Sequence, residues 1–352
     1  MRRRTFVSAV GTGVLASLAG CTDDGAQTEA GDRRLVVGTY TAFLDAPSIS
    51  PGEWVKTEFE SEFDATLVWQ SPPNELNHYI ERRTSDVGID ADAYVGLTVD
   101  QLVRVDEALE EPLFAEAGDV TGADEIESGL DFDPEGRALP YDTGYISLVY
   151  DGTAVEAPET FEGLLESEYG EQLIAQNPGT SATGRAFLLH TIHRFGEDGY
   201  LEYWDRLQNN GVRVLGAWSD AYAAWQDGEA PMVVSYSTDQ VFAEQDGADL
   251  EKHQVRFLND QAYANPEGMA VFADADEPEL TREFMSFLLR PEVQGELAQR
   301  NVSFPATESA ELPAEYGELA KVPPEPVTFG YDRLQGSVEG WIDAWERQFG
   351  QQ

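Results

Sequence analysis

The chain has 352 residues, 41% of them hydrophobic, which is enough apolar material for about two domains with buried cores. It carries 66 acidic against 22 basic residues, a formal net charge of −44, and that balance excludes nucleic acid and an anionic membrane surface as partners. The acids are spread among apolar segments rather than massed in a tail, so a disordered polyanion is excluded too. With only three lysines (Lys56, Lys252 and Lys321), the surface reads as one adapted to a very salty medium, where counter-ions screen self-repulsion.

The chain opens Met1-Arg2-Arg3-Arg4-Thr5-Phe6, turns apolar and small through Val14-Leu15-Ala16-Ser17, and reaches Leu18-Ala19-Gly20-Cys21. A charged start, an apolar middle and small residues before a cysteine predict an export signal over residues 1–20. The apolar part is too short to span a bilayer. The paired arginines resemble a twin-arginine signal. Leu-Ala-Gly-Cys resembles a lipoprotein cleavage site, which makes Cys21 the expected lipidation site. Cys21 is the single cysteine, so no intramolecular disulfide forms and no cysteine nucleophile remains in the body of the chain. Residues 21–32 are small, polar and acidic, and read as a flexible tether.

Strands are predicted over 34–40, 67–69 and 93–97. Between them lie a helix from Trp54 and a second with Leu76, Tyr79 and Ile80 on one face. That alternation predicts an α/β lobe. Residues 138–151 form one long extended run, able to pass from one lobe to another. A helix over 161–165 and a strand over 173–176 follow. The loop 177–184 then leads into a helix carrying Phe187, Leu188, Thr191 and Phe195. A helix around Tyr203, Trp204 and Leu207 and a strand over 212–215 come next. Ser219 is the expected cap of a helix with Tyr222 and Trp225 on one packing face, stopped by Gly228. Met232-Val233-Val234 predicts a buried strand ending in Ser235-Tyr236-Ser237-Thr238-Asp239. Ligands of open α/β sheets sit at the carboxyl ends of strands, so this cluster is a candidate cleft wall. Strands over 255–258 and 268–272 follow, the second returning the chain to the first lobe. Leu280, Phe284, Phe287 and Leu288 share one helical face, and Pro291 starts a further helix. Trp341, Ile342, Trp345 and Phe349 give the last helix an ordinary packing face.

The chemistry-bearing motifs are few. Thr180, Ser181 and Thr183 open a helix, which suits an anion such as phosphate, or only a structural cap. His190 and His193 are three apart, but no carboxylate or cysteine stands at matching spacing, so no metal site is expected. There is no Gly-x-Ser-x-Gly elbow, no phosphate-binding Gly-Lys-Ser/Thr loop and no His-Glu-x-x-His helix. No catalytic residue and no cofactor are therefore expected.

Six motifs stand in a telling order: Tyr40; Tyr141-Asp142-Thr143-Gly144-Tyr145 with Val149-Tyr150-Asp151; Gln176-Asn177-Pro178-Gly179-Thr180-Ser181-Ala182-Thr183-Gly184; Trp218-Ser219-Asp220-Ala221-Tyr222; Ser235-Tyr236-Ser237-Thr238; and Asn301 with Phe304-Pro305. Over about residues 34–349 the chain resembles the thiamine-binding proteins of ABC importers, within the type II periplasmic-type solute-binding proteins. The resemblance implies an α/β, two-lobed type II periplasmic-binding-protein fold with a hinge of crossover strands and the ligand cleft between lobes. Lobe 1 would be 33–140 with 266–310, and lobe 2 would be 141–265 with 311–352. It implies a monomer outside the cytoplasm handing thiamine or its mono- or diphosphate to a permease with its ATPase, and the lipid expected at Cys21 would anchor it to the outer face of the membrane.

Matched position by position, the pocket would use Tyr40, Ser71, Pro72, Ser181, Ala182, Trp218, Tyr236, Ser237 and Thr238. Asp239 is added because it is placed to meet a cation. Four positions depart from the pattern. An Asp-Gly pair is replaced by Ser71-Pro72, a Thr by Ala182, and two tryptophans by Val302 and by a residue near Ile49. Trp69 is the candidate to restore aromatic surface, and Asp142 or Asp239 to restore the carboxylate. The alternative is the same transporter class with another ligand, iron or a different small ion, although no Tyr-Tyr pair of the iron-binding kind occurs. A thiamine-acting enzyme would need the missing cysteine nucleophile.

Overall fold

Short apolar runs between polar loops assemble into an 11-stranded sheet flanked by helices. The computed structural model describes residues 33–46 and 49–350. The export signal, Cys21 and the tether lie outside the described residues. In chain order the elements are β1 (Arg33–Gly38), α1 (Thr41–Leu44), α2 (Gly52–Glu62), β2 (Ala65–Gln70), α3 (Leu76–Thr84), β3 (Ala93–Thr98), α4 (Val99–Ala108) and β4 (Ala138–Tyr150). Then come β5 (Leu173–Gln176), α5 (Ala182–Phe195), α6 (Tyr200–Asn209), β6 (Arg213–Leu215), α7 (Trp218–Gln226), β7 (Met232–Tyr236), α8 (Asp239–Gln245), β8 (Gln254–Arg256) and β9 (Gln261–Val271). The chain ends with α9 (Pro278–Leu288), α10 (Pro291–Arg300), β10 (Phe304–Pro305), α11 (Tyr316–Leu319), β11 (Glu325–Val327), α12 (Tyr331–Leu334) and α13 (Val338–Phe349).

The main strand order is β2-β1-β3-β9-β4-β7-β5-β6. β1 pairs in parallel with β2 and β3, and β5 pairs in parallel with β6 and β7. Two parallel groups are thus joined by β4 and β9, which run antiparallel to each other, with β9 antiparallel to β3 and β4 antiparallel to β7. Parallel strands buried on both faces need continuous apolar runs, as in Leu35, Val36 and Val37. One core gathers Leu35 and Val37 with Phe59, Phe284, Phe287 and Leu288, on the face opposite Val36. Another buries Phe187, Trp204, Ile342 and Trp345, with Trp204 edge-on to Trp345 at 5.3 Å.

Several expectations shift. Ser219 is not the cap of its helix: α7 begins at Trp218 and the extended residue before it is Ala217, with no side-chain cap. The predicted helix over 161–165 is only a 3-10 turn at Gly163–Leu165. The strand predicted over 255–258 ends at Arg256, and Leu258 enters a 3-10 turn with Asn259 at φ 57°. The strand predicted over 268–272 is the last part of β9, which starts at Gln261. Asn265-Pro266-Glu267 lowers strand propensity there, but pairing with β4 on one side overrides it.

Candidate functional site

A cavity of about 340 Å³ opens beyond the carboxyl ends of β1, β2, β5, β6 and β7, where open α/β sheets bind ligands. Two glycines make room for its aromatic wall. Gly96, at φ +97° in a bulge of β3, lies beneath the Tyr40 ring, and a methyl group there would collide with that ring. A methyl group on Gly144 of β4 would stand 2.5 Å from Cδ1 of Tyr236. On the far side, the Trp218 ring stacks on Tyr222 with centroids 5.0 Å apart, and its indole N–H donates to Ser235 Oγ at 3.0 Å. The Tyr222 hydroxyl donates to Asp239 Oδ1 at 2.5 Å, and His253 Nδ1 contacts Asp239 Oδ2 at 2.7 Å. Ser181 caps α5 by accepting from the Gly184 N–H at 3.4 Å, and Thr180 to Thr183 line the cavity at that helix start.

The strands β4 and β9 bring Asp142 and Glu267 opposite each other, and both line the cavity. The chain is linked across the site by short polar contacts. Tyr40 donates to Asn301 Oδ1 at 3.1 Å, Asn301 Nδ2 donates to Asp142 Oδ2 at 2.7 Å, and Tyr141 donates to Glu267 Oε2 at 2.9 Å. Burial lifts Asp142 well above the usual carboxylate range, and the nearby Glu267 adds to the shift. Burial pushes Glu267 up to about 7, against the hydrogen bond from Tyr141. Glu75 also lines the cavity, from the loop between β2 and α3; burial raises it and Arg185 opposes the rise. Its backbone lies at φ 47°, ψ −127°, a region that favours glycine. Among the described residues lining the cavity there is no Arg, Lys or His.

Of the residues expected from sequence, Tyr40, Ser181, Ala182, Trp218, Tyr236 and Asp239 line this one cavity. Ser71 and Pro72 do not line it. The Ser71 hydroxyl lies 3.1 Å from that of Thr41, and the loop presents Pro73 and Glu75 to the cavity instead. Ser237 and Thr238 are fully buried away from the lining: the Ser237 N–H donates to the Tyr145 carbonyl at 2.9 Å and the Thr238 hydroxyl to the Val302 carbonyl. Val302 and Ile49 line the cavity themselves. Trp69 restores no aromatic surface: its indole donates to the Gly52 carbonyl at 3.0 Å and its ring packs on Phe43 and Phe284. Trp225 is packing, but Tyr222 both packs and lines the cavity. Glu75 and Glu267 were missed. A carboxylate in a chain this acidic gives no signal until the register sets it beside another.

The two histidines are apart in character. His190 is buried against Phe161, centroids 4.7 Å apart, and burial pushes it down to about 3, so it is neutral packing. His193 is exposed. Among the described residues no group of three or more His, Cys, Asp or Glu is arranged to hold a metal ion.

The fold and the cavity at its strand ends define a solute-binding protein of the type II periplasmic class. The chain belongs to the bacterial extracellular solute-binding protein family, whose model matches residues 57–324. It is 28% identical over 314 residues to a thiamine-binding periplasmic protein of Escherichia coli (strain K12), covering 89% of this chain and 92% of that one. It is similar to the solved structure of a periplasmic thiamin binding protein, with a TM-score of 0.80 and 25% identity over 93% of this chain and 99% of that chain. A ferric ion-binding protein A from Pasteurella haemolytica shares the fold at a TM-score of 0.72 and 13% identity, covering 90% of this chain and 97% of that one.

Proposed function

We propose that this chain captures thiamine, or a thiamine phosphate, outside the cytoplasm and delivers it to the permease and ATPase of an ABC importer. The observation that carries this reading is the cavity wall: Tyr40, Trp218, Tyr222 and Tyr236 beside Glu75, Asp142, Asp239 and Glu267, with no basic side chain in the lining. Thiamine joins a flat pyrimidine to a permanently cationic thiazolium. Aromatic faces bind such a cation with about 0.5–2 kcal/mol per contact. The carboxylates add the opposite charge. A phosphate tail has its place at the start of α5, where Ser181 to Thr183 present hydroxyls and helix N–H groups. The thiamine-binding relatives support the choice of ligand over iron.

The same reading places residues 33–140 and 266–310 in one lobe and 141–265 and 311–352 in the other, closing on the ligand about β4 and β9. It makes the protein a binder rather than an enzyme, acting as a monomer. It also includes export by the twin-arginine-like leader, a lipid anchor at Cys21 and a surface suited to high salt. Isothermal titration in high salt with thiamine and both phosphates tests the central claim; binding of none of the three overturns it. Mass spectrometry of protein extracted from membranes tests the modification at Cys21.

A further inference from the structure

Asp142 and Glu267 are the least compensated charges at the site. Asp142 is 2% exposed and Glu267 9% exposed, yet both border the cavity. Asn301 donates to Asp142, with the Ser303 hydroxyl alongside, and Tyr141 donates to Glu267, with the Tyr40 phenol alongside; all four of these groups are neutral. The other groups facing the pair are the Tyr40 and Tyr236 phenols, from the end of β1 and from β7, Tyr316 from α11, and Glu75, which adds negative charge. Arg185, whose field reaches Glu75, is bound to Asp100 at 2.5 Å. Buried charges are normally paired, and two adjacent carboxylates without a cation cannot both ionise.

We propose that Asp142 and Glu267 form the counter-ion site for the positive charge of the ligand, and that they share a proton which leaves to solvent as the cation enters. The inference rests on reading the cavity as a site for an organic cation such as thiamine. The charge balances: one cation is taken up and one proton is released, so the pair's surroundings keep the same net charge. It also gives a basis for selectivity. A ligand of the same shape but without the fixed charge cannot displace the proton, and gains only the aromatic contacts.

The test is calorimetric titration of thiamine into the protein from about pH 5.5 to about pH 8.5, in two buffers of different ionisation enthalpy. The expected result is release of up to about one proton, and an affinity that falls by up to about tenfold per pH unit below about pH 7. Glu267→Gln and Asp142→Asn each leave one carboxylate with no proton to share. Each should bind thiamine with less proton release than wild type and a shallower pH profile over that window. The uncharged pyrimidine half of thiamine should bind wild-type protein without proton release. Wild-type proton release that persists unchanged in both variants overturns the inference and leaves the thiamine reading intact. If wild-type protein binds neither thiamine nor either phosphate, the thiamine reading fails. N-methylpyridinium then serves as the probe: release of a proton that both variants reduce supports the counter-ion site, and its absence overturns it.

Discussion

Two groups of buried and half-buried acids in this molecule have opposite fates. At one, Arg137 donates to both oxygens of Asp106 at 2.8 Å and to Asp133 at 3.1 Å, with Tyr331 also donating to Asp106 at 2.6 Å. Burial works to raise Asp133, but the hydrogen bonds from Arg137 and from the Glu135 and Ala138 N–H groups outweigh it, and its pKa is lowered. At the other, Asp142 and Glu267 have neutral donors only, and both are raised. The residue type and the depth are similar; the presence of a guanidinium is what differs. The first group is finished by the chain itself, whereas the second is left open toward the cavity.

That contrast can be broken from either side. Arg137→Met strands Asp133 and Asp106, and should cost about 3–5 kcal/mol in denaturant unfolding, whereas Glu267→Gln should leave the stability of the empty protein unchanged or higher. Equal losses in the two variants would remove the distinction. The next largest effect falls on binding. Trp218→Ala removes a stacked face from the cavity and should weaken thiamine binding by about 2 kcal/mol in a calorimetric titration.

The two groups should also differ in sign when pH is changed. Glu267 has a folded pKa raised to about 7. Its contribution to stability is therefore full below its unfolded value of about 4.3 and is lost as pH rises toward about 7. Asp133 has a lowered folded pKa. Its contribution is present above its unfolded value of about 3.9 and is lost as pH falls below that. Melting curves of Glu267→Gln and of Asp133→Asn against wild type across pH should show these opposite trends. The smallest effect concerns Glu75. Glu75→Gly relieves a backbone conformation that glycine adopts freely, and should raise the melting free energy by about 1 kcal/mol while weakening binding of an organic cation. A gain in stability with unchanged affinity would take Glu75 out of the recognition group.

Much of the site was legible from residue type and order. Tyr40, Ser181, Trp218 and Tyr236 each follow or end a strand, and a parallel sheet brings strand ends together without further instruction. Ser71 and Pro72 lie outside the cavity lining because a loop's path is set by its packing, here by the contact of Ser71 with Thr41. Ser237 and Thr238 lie off the lining because the chain turns directly after β7 and both residues are held in the interior, by the Tyr145 and Val302 carbonyls. Trp69 faces the core formed with Phe43 and Phe284, a choice made by burial rather than by type.

The sequence by itself determined the apolar strand runs, the aromatic and hydroxyl residues at their ends, and the excess of negative charge, because these depend on local periodicity and composition. The tertiary structure alone decided which of 66 acids matter at the site. Asp142 and Glu267 are 125 residues apart and meet only through the register of β4 on β9. Arg137 lies five residues before Asp142, and the fold gives it to Asp106 and Asp133 instead. Electrostatic character depends on distance and on the depth of burial, and neither is written in the order of residues along the chain.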